Sequence, residues 1–158
     1  MSHPERPAAE LDEALTHVSY EILMMVEGVV RASAITPDPS DFVMRNAWVE
    51  SYIMHARSLI DFSSRSEPHR KPDDLCPRDF GVDWTIDDLD RQWLETNLMQ
   101  QAHKRIAHLT WERLKPLEEG WSKEVAQRIT DVCRSWRRTV EETRQDLDWS
   151  TFYTPPAR

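Results

Sequence analysis

Apolar residues near the amino terminus of this chain recur at a helical spacing, and this pattern restricts the fold more than any other property of the sequence. Alternating intervals of four and three residues connect Leu11, Leu15, Val18, Ile22, Met25 and Val29. Side chains with this spacing lie on one stripe of an α-helix. The sequence therefore predicts a first helix from about Ala8 to Ser33, followed by a break at the prolines of segment 36–40.

A second helix is predicted from about Asp41 to Ser63, with Ser40 as a candidate N-cap. Its main apolar stripe consists of Val49, Ile53, Ala56 and Ile60, and it is flanked by Trp48, Tyr52, Leu59 and Phe62. Because this apolar side is so wide, we expect the second helix to be the most buried one.

Two further helices are predicted in the second half of the chain. One runs from Asp87 to about His108, and the other begins after the candidate N-cap Ser122. The apolar stripe of the latter consists of Trp121, Val125, Ile129, Val132, Trp136, Val140 and Leu147. The connection 64–85 has no clear periodicity, and two interpretations stay open for it: a short helix around Asp73 to Phe80, which we favour, or a functional loop.

These elements predict an all-α fold. Only three glycines occur among the 158 residues, whereas a chain of strands and tight turns would need more positions with positive φ. Four long helices joined by proline-containing connections favour an antiparallel helical bundle. We expect a single domain over residues 1–158, with its core at about 8–147 and peripheral tails at 1–7 and 149–158.

Composition disfavours several classes of protein. No apolar run reaches the ~18 residues that span a bilayer, and the amino terminus lacks a signal-peptide segment, so we expect a cytoplasmic protein with no membrane association. The formal net charge of −8 disfavours broad binding to duplex nucleic acid. Cys76 and Cys133 occur outside any metal-binding or redox spacing, which predicts free thiols.

Neither a metal nor another cofactor is expected. Helical bundles that bind metals use Glu-x-x-His pairs on facing helices, and the predicted helices contain neither this pair nor His-x-x-x-His. The sequence also lacks a glycine-rich phosphate loop and the Gly-x-Ser-x-Gly context of a nucleophilic serine.

Four polar residues form an unexpected line along the second helix: Asn46, Glu50, Arg57 and Asp61, at intervals of four, seven and four. Two interpretations stay open. If the line is buried, Arg57 and Asp61 form a structural ion pair that fixes the helix register. If it lines a groove with His108, it provides a cation and a carboxylate for binding a phosphate and orienting a histidine.

Histidines and basic residues cluster near the end of the predicted third helix, at His103, Lys104, Arg105 and His108. The two histidines are five residues apart, which places them about 140° apart around a helix. They can enter one site only if the helix ends or distorts between them. His108 is the better catalytic candidate because it lies near the helix end, and its alternative role is a hydrogen bond at the helix terminus.

Segments 46–62 and 103–110, together with the bundle pattern, resemble the HEPN family of small all-helical proteins found in bacterial toxin–antitoxin and antiviral systems. Active members of that family are metal-independent endoribonucleases with an Arg-x(4–6)-His motif, often with a polar residue after the arginine. The resemblance implies that His108 is the catalytic histidine and that His103 is the polar residue.

The motif arginine would fall at Ala102 in this chain, and Gln101 and His103 are the other positions that the motif spacing allows. Cleavage of RNA without a metal needs a base for the 2′-hydroxyl proton and a cation for the phosphorane charge. The resemblance therefore requires a substitute cation, for which Lys104, Arg105 and Arg57 are the candidates.

Three hypotheses for the function follow. The first is a HEPN-like homodimer that cleaves or binds RNA, with an antitoxin or a defence component as its protein partner. The second is a non-catalytic helical module whose tryptophans and polar line serve dimerisation or partner binding. The third is a bundle enzyme that acts on a small molecule or depends on a metal.

Overall fold

The computed structural model describes residues 6–35, 38–64, 74–99 and 121–153. Within these ranges the chain forms four α-helices and no strand, which confirms the predicted all-α class. The helices are α1 (Ala8–Ala34), α2 (Phe42–Ser64), α3 (Asp88–Leu94) and α4 (Trp121–Thr143). A π-helical turn, Glu95–Met99, follows α3 directly.

Two short 3-10 turns occur where the prolines interrupt the helical pattern. Pro39–Asp41 leads into α2, and the carboxylate of Asp38 accepts a hydrogen bond from the amide of Ser40 at 2.8 Å. Pro77–Phe80 is the short helical piece predicted within the long connection. It ends at Gly81, whose φ of 73° is the positive value that favours glycine.

Helix α3 begins one residue after its predicted start because Asp87 is its N-cap. The Asp87 carboxylate accepts a hydrogen bond from the amide of Leu89 at 2.8 Å, which satisfies one of the amides without a partner inside the helix. The predicted extension of this helix to His108 lies outside the described residues.

Helices α1 and α2 pack side by side in opposite directions. Glu21 contacts His55, Gly28 contacts Tyr52, and the guanidinium of Arg31 lies over the ring of Trp48. Residue numbers thus rise along one helix as they fall along the other. Helices α3 and α4 are joined by Arg128, which binds the carboxylate of Asp90 at 2.8 Å and lies over the ring of Trp93.

The core is centred on Trp136 of α4, which is fully buried. Its indole contacts four aromatic rings from three other segments of the fold, namely Phe62, Phe80, Trp149 and Phe152. Edge-to-face contacts between such rings contribute beyond the area that they bury.

The carboxyl-terminal segment is attached to the core as far as Tyr153, although the sequence pattern predicts a peripheral tail from residue 149. The hydroxyl of Ser19 accepts a hydrogen bond from the amide of Tyr153 at 2.7 Å. The guanidinium of Arg137 lies 5.5 Å from the ring centroid of Trp149 and 5.0 Å from that of Phe152. A serine of α1 and an arginine of α4 therefore hold this segment in place.

Both cysteines are buried free thiols, as predicted. Burial raises the pKa of the Cys133 thiol to about 12, so the reactive thiolate is scarce at neutral pH. In the stretches that the structure describes, no helix combines the length and the apolarity needed to cross a membrane.

Candidate functional site

Helix α2 carries apolar residues on both of its sides. Its inner side is buried in the core through Tyr52, Ile53, Ala56, Leu59 and Ile60. On its other sides, large apolar side chains are 58–79% exposed at Phe42, Val43, Met44 and Met54. The prediction that α2 is the most buried helix is therefore wrong, because its solvent side exposes large apolar side chains. The sequence pattern shows that apolar residues are abundant on α2, but it does not show which segments cover them.

Helix α4 shows what an ordinary surface helix of this protein looks like. Its buried side is apolar, while the exposed positions that the structure describes along it are Lys123, Glu124, Asp131, Ser135, Arg138, Glu142 and Thr143. All of these residues are polar or charged, as expected of a helix with one side in water. Among the described residues, large apolar side chains are also exposed on α1, at Tyr20 and Val30, and on α3, at Leu89, but α2 carries four of them.

Six residues form a continuous line along the solvent side of α2, which we call the α2 outer face: Val43, Ala47, Glu50, Met54, Arg57 and Asp61. They follow one another at intervals of four, three, four, three and four, so they lie in one row along the helix. Two of the three residues in its amino-terminal half, Val43 and Ala47, are apolar, and two of the three in its carboxyl-terminal half, Arg57 and Asp61, are charged.

Three of the four residues of the predicted polar line, Glu50, Arg57 and Asp61, belong to this face, and Asn46 lies beside it. Glu50 is exposed, Asn46 is partly exposed, and the side chains of Arg57 and Asp61 are 42% and 34% exposed. The Arg57 Nε lies 4.0 Å from a carboxylate oxygen of Asp61, and a surface pair at such a distance contributes about 0–1 kcal/mol. This geometry fits the interpretation of an accessible surface rather than that of a buried ion pair.

The remaining predicted site residues, His103, Lys104, Arg105 and His108, lie outside the described residues. The structure therefore brings Asn46, Glu50, Arg57 and Asp61 together on one surface but does not place them relative to either histidine.

A cleft of about 290 Å³ lies between α1, α2 and the segment before the second 3-10 turn. Apolar side chains including Val18, Leu59 and Phe62 line its floor. Its polar lining consists of His17, Glu21, Ser58, Asp61 and Asp74. Apart from Asp61, sequence reasoning missed these residues, because they belong to separate segments that share no motif.

Next to this cleft, His55 links α1 and α2. Its Nδ1 lies 2.9 Å from a carboxylate oxygen of Glu21, and its ring meets the ring of Tyr20 edge to face. The imidazole is only 18% exposed, and its contacts with Glu21 and Tyr20 hold it against α1. We interpret this contact as structural support for the α1–α2 pair.

The composition of the cleft defines what it can bind. Three carboxyl side chains, from Glu21, Asp61 and Asp74, face it, and they would repel a nucleic-acid phosphate. A cation or a hydrogen-bond donor suits this lining better. Among the residues that the structure describes, no group of three His, Cys, Asp or Glu side chains is arranged to hold a metal ion.

No protein-family model matches this chain, and neither a curated protein nor a solved structure gives a significant match.

Proposed function

We propose that the protein is an antiparallel helical bundle that serves as a protein-interaction module, with the α2 outer face as its binding surface. The observation that carries this proposal is the exposure of Val43 and Met54, at 79% and 58%, on the side of α2 that faces away from the core. A helix with apolar residues on both sides is typically covered on both sides.

The chemistry of this surface supports recognition of another protein. Covering apolar side chains stabilises a complex by about 25 cal/mol per Å² removed from water. Methionine adapts its shape to a partner, and the charged residues at the edge of the face provide orientation. Elsewhere on the first turn of α2, Phe42 and Met44 are also 62% and 58% exposed.

Photo-crosslinking tests this proposal. A photoreactive phenylalanine derivative placed at Val43 or Met54 of the full chain is expected to form covalent protein adducts when irradiated in living cells. The same residue at Arg138, which is exposed on the polar side of α4, is the matched control and should give few adducts. Equal yields at all three positions, or no adducts at any, would contradict the proposal.

A second candidate function follows from the resemblance to HEPN proteins: a cytoplasmic, metal-independent endoribonuclease or RNA-binding component of a defence or toxin–antitoxin system. The accessibility of Arg57 on α2 supports it, because a side chain that is 42% exposed is available as the cation that the motif position Ala102 does not supply. In this proposal His108 is the general base and His103 assists it.

A labelled RNA pool incubated in EDTA tests the second candidate. The wild type is expected to produce 2′,3′-cyclic phosphate ends, and His108→Ala should lower the rate at least about 100-fold, as expected for the loss of a general base. His17→Ala, which removes an exposed histidine of α1, is the control and should cleave like the wild type. Inactivity of the wild type would eliminate the endoribonuclease, and full activity of His108→Ala would eliminate His108 as its general base.

A further inference from the structure

We infer that the partner of the α2 outer face is a second copy of this chain, bound so that the two α2 helices run antiparallel about a two-fold axis near Met54. This inference rests on the proposed interaction module and names its partner. It is carried by the symmetric order of the polar and small residues along α2.

The polar line along α2 is self-complementary when it is reversed. Asn46, Glu50, Arg57 and Asp61 occur at intervals of four, seven and four, so the line has the same spacing in both directions. In an antiparallel pair centred between residues 53 and 54, Glu50 lies opposite the partner's Arg57, and Asn46 lies opposite the partner's Asp61. Each contact joins a carboxylate to a hydrogen-bond donor, and the two-fold axis produces each one twice.

The other flank of this side of α2 also has the same spacing in both directions, with its midpoint one residue before that of the polar line. Ala47, Ser51, Met54 and Ser58 occur at intervals of four, three and four. Ala47 and Ser58 are exposed, and Met54 is 58% exposed. Small side chains allow two helices to approach closely, while Met54 fills the space next to the axis against its own copy.

A two-fold axis pairs each flank of α2 with the same flank of the second copy. An axis perpendicular to both helices places the polar flank of one copy against the polar flank of the other, and the small flank against the small flank. Charge then selects the register. An axis at Glu50 or at Arg57 would bring like charges together. A parallel pairing would place the polar flank of one copy against the small flank of the other.

The size of the contact sets the expected affinity. One pair of helices buries less than the roughly 1,200 Å² at the lower end of standard stable interfaces. We therefore expect a dissociation constant on the order of micromolar for the dimer.

Sedimentation equilibrium of the purified full chain over about 1–500 µM tests the inference. Glu50→Arg and Arg57→Glu should each weaken the dimer at least about tenfold, because each places two pairs of like charges in contact. The double variant, Glu50→Arg with Arg57→Glu, exchanges the charges and should restore the dissociation constant to within about threefold. Glu142→Arg, an equal charge change at an exposed position of α4, is the control and should leave the dimer unchanged.

Thermal unfolding checks that each variant is folded, as expected for substitutions at exposed or partly exposed positions. A double variant as weak as the single ones would overturn the inferred register. A wild type that is monomeric at every concentration would overturn the second copy as the partner. In that case, photo-crosslinked adducts between positions 43 and 54 and another protein would still support the interaction module. The absence of such adducts would contradict both proposals.

Discussion

Replacing Trp136 by alanine is expected to lower the free energy of unfolding by about 3–5 kcal/mol. The side chain is fully buried, and its ring centroid lies 5.0 Å from that of Phe62 and 5.1 Å from that of Phe80. Trp149 and Phe152 complete the cluster at 6.4 and 6.3 Å. Because these rings come from α2, the second 3-10 turn and the carboxyl-terminal segment, one truncation would weaken the attachment of all three to α4.

Urea-induced unfolding followed by far-ultraviolet circular dichroism measures this loss, and Trp136→Phe is the matched control. The indole Nε1 of Trp136 has no hydrogen-bond acceptor among the described residues. Trp136→Phe removes this donor, whose burial without an acceptor destabilises the folded state. It also keeps an aromatic ring in the cluster. We expect Trp136→Phe to cost about 1–2 kcal/mol, and an equal cost for both variants would contradict a packing role for the ring.

Helices α1 and α2 could be predicted from the sequence because their pattern is a local property. The apolar stripe of α1 contains six residues from Leu11 to Val29, and all six are buried. The predicted bounds, Ala8 to Ser33, differ from the observed helix by one residue at its end. Intervals of three and four residues report which side of a helix is apolar, and this information needs no knowledge of the other segments.

Contacts between distant segments could not be predicted in the same way. Ser19 holds Tyr153 across 134 positions of the chain, and nothing in the pattern around either residue indicates the other. The cleft likewise combines His17 and Glu21 of α1 with Asp74, which lies after α2. Such groupings arise from packing, so a periodicity in one segment carries no signal for them.

The candidate site combines a feature that the sequence predicts with one that it does not predict. The spacing of Asn46, Glu50, Arg57 and Asp61 predicted one line on one helix, and these residues do share a surface of α2. Whether that surface faces the core or water depends on how α2 packs against its neighbours, which the spacing alone does not determine. The placement of His108 beside this line stays a prediction of the HEPN resemblance.

Replacing Gly28 by alanine is expected to destabilise the protein by about 1–3 kcal/mol, although alanine is the better helix former by about 1 kcal/mol. Gly28 lies within α1 where this helix meets α2. A Cβ atom there would lie 2.9 Å from the Cβ of Tyr52 and 3.0 Å from its Cα and its backbone nitrogen. Because these atoms belong to the backbone of α2 or are fixed to it, no side-chain rotation relieves the overlap, and the helices must move apart.

Tyr52 makes this separation costly. Its side chain is 1% exposed, and burial raises the pKa of its hydroxyl, so it stays neutral in the core. Moving it outward would disturb the packing of the buried side of α2. Chemical denaturation measures the difference in the free energy of unfolding between Gly28→Ala and the wild type. Ser33→Ala, at an exposed position of the same helix, is the control for helix propensity alone. We expect Ser33→Ala to be neutral or slightly stabilising, whereas a Gly28→Ala protein more stable than the wild type would mean that the two helices do not depend on this close contact.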